Sequence, residues 1–191
     1  MLNKLPIAVA LLSVTTLADA RGLDIKLADE MAELTYLTES STFGYGGADV
    51  GFGLLFTEAD DLHFSGKLMI SGNPAGNNRP FQFGVGGKLM LTSFDRGNLN
   101  EDVGALAIGA QARYVIPSAT PIAFVASGYF APGITSFSGA DQYTEFSFAL
   151  ELEVTPSARA YVGFRNMEYE FENGRQIEVD DDLHLGIKFD F

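Results

Sequence analysis

Two histidines and no cysteine occur among 191 residues, so nucleophilic and metal chemistry have few places to reside. One is His63-Phe64-Ser65. A histidine and a serine two residues apart on a strand share a face, and they act as base and nucleophile when a carboxylate orients the imidazole. The nearest following carboxylate is Asp95, and the other histidine, His184, sits in the last strand. No triad is complete, so a protein that is not an enzyme and needs no cofactor is expected. The other place is Asp180-Asp181-Asp182, whose hard oxygens suit Ca²⁺ or Mg²⁺. Without the ligand spacing of a calcium loop, these three residues are a weak candidate for capturing divalent cations. The missing thiols also exclude disulfides, thiolate metal centres and an acylated cysteine anchor.

Charge narrows the partners further. Lys and Arg number 12 against 25 Asp and Glu, a formal net charge of −13. A surface of that sign repels nucleic-acid phosphates, so no nucleic acid is expected. With 47% hydrophobic residues, 21 Gly and 16 Phe, the chain is too apolar for disorder and too glycine-rich for a helical bundle.

Residues 1–20 read as an address. Lys4 precedes an apolar run from Leu5 to Leu17, and Ala18-Asp19-Ala20 follows. This is the pattern of a signal peptide cleaved after Ala20, which leaves residues 21–191 as the domain. The run is too short to cross a membrane as a helix.

The elements that position the remaining polar residues alternate with a period of two. Leu183, Leu185, Ile187, Phe189 and Phe191 alternate with His184, Gly186, Lys188 and Asp190. Equivalent stretches run through Phe146 to Val154, Ala158 to Phe164, Ile122 to Phe130, Leu106 to Tyr114, Phe81 to Leu91, Leu62 to Ile70 and Val50 to Phe56, with weaker ones near Leu34 and Ile25. One face of each strand is apolar and the other polar. Ten strands of about 11 residues match a tilted crossing of a bilayer. The expected fold is all-β, a transmembrane antiparallel up-and-down β-barrel of ten strands, with eight as the alternative. Short connections at 117–120 and 155–157 alternate with long polar ones at 94–102, 131–141 and 172–182, as in barrels of the bacterial outer membrane. On this count 58–61 lies outside, and 72–79 inside.

The chain closes on His184-Leu185-Gly186-Ile187-Lys188-Phe189-Asp190-Phe191. This run resembles the terminal signal of bacterial outer-membrane barrels, with His184, Gly186, Phe189 and Phe191 in the matching places. The resemblance implies recognition by the barrel-assembly machinery through strand addition. The chain as a whole resembles the YfaZ family of outer-membrane proteins of Gram-negative bacteria. The likeness rests on Val85-Gly86-Gly87-Lys88, on Tyr129-Phe130-Ala131-Pro132, and on Tyr161-Val162-Gly163-Phe164-Arg165. It implies an outer-membrane location with lipid and lipopolysaccharide as neighbours. There is no Trp, so Tyr and Phe must form the interfacial girdles.

Parity sends seven bases inward (Lys26, Lys67, Lys88, Arg113, Arg159, Arg165, Lys188) and seven acids (Asp24, Glu33, Asp49, Glu145, Glu151, Glu153, Asp190). A balanced interior predicts paired charges that plug the lumen, because unpaired ions there are costly. The alternative is a narrow channel for small solutes or ions, its selectivity set by Lys67, Lys88, Arg113 and Glu151. The excess negative charge then falls on outer loops, where Glu168 to Asp182 crowd around Arg175 and meet ions, lipopolysaccharide or another surface. At Arg165-Asn166 the apolar residues change parity to Met167, Tyr169 and Phe171, which predicts a β-bulge.

Overall fold

A strand with one apolar and one polar face must satisfy its backbone groups as well as both faces. It pairs on both edges, and the sheet then closes on itself so that no edge is left. A computed structural model describes residues 20–40, 48–59, 61–73, 80–96, 99–171 and 173–191, and in it the chain adopts this solution. The strands are β1 (Ala20–Leu27), β2 (Met31–Ser40), β3 (Ala48–Thr57), β4 (Leu62–Gly72), β5 (Phe81–Arg96), β6 (Leu99–Ile116), β7 (Ile122–Ala131), β8 (Ser136–Phe137), β9 (Ala140–Thr155), β10 (Ala158–Phe171) and β11 (Gln176–Asp190). All but the two-residue β8 pair antiparallel with their chain neighbours, and β1 pairs with β11 from Gly22↔Asp190 to Leu27↔Leu185 to close the ring. The result is a ten-stranded up-and-down barrel, and the two weak N-terminal stretches are full members of it. The expected signal segment lies outside the described residues except for Ala20, which opens β1.

Both termini of the ring meet at one end, termed the inner end. The tight inner connections 117–121 and 156–157 fall where the alternation placed them, and the residues just before β5, β7 and β10 are tied to a neighbouring strand: Pro80 accepts from Val115, Pro121 from Glu153 and Ser157 from Asp190.

The outer end departs from expectation. Residues 94–102 and 172–182, expected as long loops, are mostly strand. β5 and β6 run to Arg96 and from Leu99, and only residues 172–175 separate β10 from β11. β6 is 18 residues long and β9 is 16, whereas about 9–11 suffice to cross a bilayer. These strands therefore project beyond the membrane. The 131–141 connection also carries structure: a 3₁₀ turn at Gly133–Thr135 and then β8, which pairs with β6. The Phe137 ring lies on Gly104, where a Cβ would stand 2.0 Å from it.

The projection explains the change of parity in β10. No bulge interrupts β10 at Arg165-Asn166, and its pairing with β9 runs unbroken from Arg159↔Glu153 to Glu170↔Gln142. Odd positions face inward throughout, so Tyr161, Arg165, Met167, Tyr169 and Phe171 are all buried. What changes is the surroundings. Up to Phe164 the outward residues are apolar and meet lipid; from Asn166 outward they are polar, and the inward residues are apolar. The bulge exists, but on β11, where Met167↔Asp180 is followed by Glu168↔Glu178 and Val179 is left over. Val179 and Asp180 are consequently both buried.

Around the barrel, Ile25, Leu34, Phe56, Phe83, Val85, Ile108, Phe124, Phe148, Leu150, Val162, Leu185 and Ile187 are exposed and apolar. They form a continuous outward belt, the inverse of a soluble protein's surface and the lipid-facing band of a transmembrane barrel.

Candidate functional site

The only space enclosed by such a barrel is its lumen, and the strand periodicity decides what fills it. The lumen has two layers of different chemistry.

The outer layer is built from the projecting strands. Phe94 on β5, Tyr143 on β9, and Tyr169 and Phe171 on β10 pack ring against ring, with centroids 4.8 Å apart for Tyr143–Tyr169 and 6.0 Å for Phe94–Tyr169. Phe94, Tyr143 and Tyr169 have no solvent exposure and Phe171 has 3%. Met31, Leu55, Met90, Val103, Ile177 and Val179 complete the packing. His63 belongs here too. Its Nδ1 lies 2.8 Å from the Thr92 hydroxyl, which is 3.0 Å from the Tyr169 hydroxyl, and its ring stands edge-on to Phe94 at 6.0 Å. Burial raises the affinity of the Tyr169 phenol for its proton, so this chain of hydroxyls stays neutral. Ser65, which shares the inward face of β4 with His63, lines the space below.

Beneath these rings lies a cavity of about 830 Å³. Its wall reaches from Lys88, Tyr129, Arg165 and His184 down to Pro156, Ser157 and Arg159 at the inner end. Charged residues from nine strands meet in it, largely as pairs. Lys88 Nζ donates to Glu145 at 2.5 Å, and Tyr143 donates to the same carboxylate. Arg165 reaches Glu33 at 2.6 Å and Asp180 at 2.5 Å, while Lys26 holds Glu33 at 3.1 Å. This chain of two cations and two anions joins β1, β2, β10 and β11 across the seam where the ring closes. Nearer the inner end, Glu151 takes Arg113 at 3.1 Å, Lys188 at 2.5 Å and Arg159 at 4.0 Å; Arg159 also meets Asp190 at 2.6 Å. Glu153, expected with them, is half-buried beside Arg159 in the β9–β10 register. Lys67 lines the cavity without joining any of these pairs.

The acidic triplet does not form one ligand set. Asp180 points inward onto Arg165, Asp181 points outward and accepts from Asn166 at 3.1 Å, and the Asp182 amide donates to Asp180. The three residues stand on β11, not on a loop, and alternation turns Asp181 away from Asp180 and Asp182. Among the described residues no group of three or more His, Asp or Glu is placed to hold a metal ion. Glu168, Glu170 and Glu178, expected on the same loop, sit on the outward face of the projecting strands.

The terminal residues divide by face. His184 is buried edge-on to the Tyr161 ring at 5.8 Å. Tyr161 lies flat across Gly186, where a Cβ would come within 2.1 Å of the ring, and its hydroxyl donates to Asp24 on β1 at 2.7 Å. Phe189 and Phe191 face outward in the belt.

Sequence reasoning missed the aromatic layer and the role of Asp180. The signal for the first was the odd parity that Met167, Tyr169 and Phe171 share with Arg165, and the signal for the second was the even parity that Asp180 shares with His184 and Lys188.

The family described as YfaZ precursor matches residues 4–191. No curated protein matches the chain. Among solved structures, a bacterial polysaccharide outer membrane secretin aligns with 11% identity and a TM-score of 0.47 over 89% of this chain and 69% of its own. The outer membrane channel DcaP of Acinetobacter baumannii aligns with 12% identity and a TM-score of 0.41 over 94% of this chain and 55% of its own.

Proposed function

This chain belongs to the YfaZ precursor family, and we propose that it serves the outer membrane as a non-enzymatic barrel, closed at its outer end, that acts through its acidic outer surface. It is an outer-membrane β-barrel protein with a signal peptide. The single observation that carries the closed state is the unexposed layer of Phe94, Tyr143, Tyr169 and Phe171. A ring packed against rings leaves no path for a hydrated ion, and opening one would forfeit buried contacts of large side chains.

Two further features support the reading. His63 is engaged by Thr92 inside the apolar layer, away from any place where substrate and water would meet, which argues against hydrolysis. Outside, Asp95, Glu101, Asp102, Glu178 and Asp181 are exposed on projecting strands. A raised acidic rim of this kind recruits cations, and divalent ions also bridge lipopolysaccharide phosphates. The partners proposed are therefore lipid, lipopolysaccharide with its divalent cations, and the assembly machinery during biogenesis.

The second reading, a narrow channel for small solutes or ions, is favoured by the polar cavity beneath the rings. It requires the aromatic layer to move. Conductance of the refolded barrel in a planar bilayer decides between them. The closed reading expects a silent membrane from a barrel whose circular dichroism is β-rich. Discrete ion-selective steps would overturn it in favour of transport.

A further inference from the structure

We propose that the cavity below the aromatic layer is a binding site for a small oxyanion, a phosphate or carboxylate entering from the inner end, with Lys67 as its primary contact.

The cavity measures about 830 Å³, within the usual range for small-molecule pockets and far larger than a few waters require. Its charges do not cancel locally. Lys26, Glu33, Arg165 and Asp180 neutralise one another, and so do Lys88 and Glu145. Lys67 is left over: among the described residues no carboxylate comes within ion-pair distance of its ammonium. Lys188 and Lys88 are near enough to repel it, and Asp24 and Glu145 near enough to attract it. Both of those acids are already engaged, Asp24 by the Tyr161 hydroxyl and Glu145 by Lys88 and Tyr143. On the other side of the cavity, the single carboxylate of Glu151 is shared by Arg113, Arg159 and Lys188. Asp190 compensates only Arg159. Lys67 therefore has no ion-pair partner among the described residues, and around Glu151 three cations share that carboxylate and Asp190; the other acids lining the cavity, Asp24 and Asp49, are held by the hydroxyls of Tyr161 and Ser71.

An unpaired ammonium in a confined polar space is costly, and an oxyanion that pairs with it recovers that cost. The surrounding groups suit the role. Ser65 and Gln111 line the same space and offer donors to it, as do Ser127 and Ser147, whose hydroxyls share one hydrogen bond at 2.8 Å. Gly51, opposite Lys67 in the β3–β4 register, puts no side chain of its own against the lysine stem, whose Cε lies 3.6 Å from where a Cβ there would stand. The site lies below the seal, so it binds whether or not the outer end conducts. This inference stands apart from the closed-barrel reading.

The test is titration calorimetry of the refolded barrel in detergent micelles with inorganic phosphate and with citrate at constant ionic strength, chloride being the background anion. Saturable binding of at least one of the two is expected. Lys67→Met should weaken it tenfold or more, and Lys67→Arg should keep it. A purely structural lysine gives a different pattern in a companion measurement. Because Lys67 has no partner to lose, Lys67→Met should melt no lower than the parent without anion, and added anion should raise the melting temperature of the parent but not of the variant. Lys67→Gln serves where Lys67→Met does not refold. Absence of saturable binding by both probes, or equal binding by parent and variant, overturns the proposal. Which of the two anions binds distinguishes a phosphate ligand from a carboxylate one.

Discussion

Arg165 shows how much one side chain must do where the ring closes. Its guanidinium is 3% exposed and spans from Asp180 on β11 to Glu33 on β2, with Met31 Sδ at 3.4 Å. Removing it leaves Asp180 without its cation and Glu33 with Lys26 alone. Arg165→Ala should therefore cost about 3–5 kcal/mol, the usual penalty for breaking a buried pair from one side. Equilibrium unfolding in urea reads this directly. Arg159→Ala is the internal comparison, because its side chain is a quarter exposed and Asp190 is 43% exposed; it should cost less than about 1 kcal/mol. Equal losses at the two positions would mean that the network around Arg165 is hydrated and adds no rigidity. Gly186 makes a different demand. A methyl group there strikes the Tyr161 ring, so Gly186→Ala should destabilise the barrel by about 1–3 kcal/mol. In the double variant with Tyr161→Ala the two losses should not add, since the same contact is removed twice. Additive losses would show that the glycine serves the backbone and not the ring.

At the scale of the strand, the decisive event is the exchange of faces along β10. Val162 and Glu168 both point outward on the same strand, yet Val162 is 43% exposed in the lipid belt, while Glu168 lies beyond Phe164, where the outer face has turned polar. An arginine on the lipid face costs about 2–4 kcal/mol near the bilayer midplane and almost nothing in water. Val162→Arg should therefore destabilise the barrel in lipid bilayers by about 2 kcal/mol or more, and Glu168→Arg by less than about 0.5 kcal/mol. Similar losses at both sites would place the membrane boundary further out than Phe164. The same exchange marks where sequence and structure part. All ten barrel strands were legible from period two, as were the inward-facing charges, because alternation fixes parity whatever the residues are. Apolar-outward counting fails once a strand leaves the membrane, since the apolar residues then belong inside. Phe94 and the run from Met167 to Phe171 therefore read as loop or bulge. Asp180 was hidden for a second reason. It keeps the even, inward parity of His184 and Lys188 but falls within residues 172–182, which read as a loop, and the extra residue Val179 displaces only the positions before it.

For the molecule as a whole, the two layers of the lumen set up a barrel that is polar and open below and dry above. The formal charge of −13 adds a rim that favours cations at the outer end. Whether the barrel is a closed body or a gated path turns on the cohesion of four rings. Phe94 contacts both Tyr169 and Phe171, at 6.0 and 6.1 Å, and Tyr169 is stacked on Tyr143 at 4.8 Å. Phe94 and Tyr169 are thus the pair through which the layer holds together. Replacing both with alanine removes most of the seal while leaving the ion pairs of Arg165, Lys88 and Glu151 intact. The strand pairing that closes the barrel does not depend on these side chains, so the doubly substituted chain should still refold, at a cost of about 3–5 kcal/mol for each ring lost. It should then pass small ions in a planar bilayer where the parent does not, because the cavity already reaches the inner end and its charged wall stays wet. A single alanine at Phe171, at the edge of the layer, should leave the membrane silent. A folded double variant that still fails to conduct would locate the barrier below the rings, in the ion-paired layer of Arg165 and Lys88, and substitutions there would then be the ones that open it.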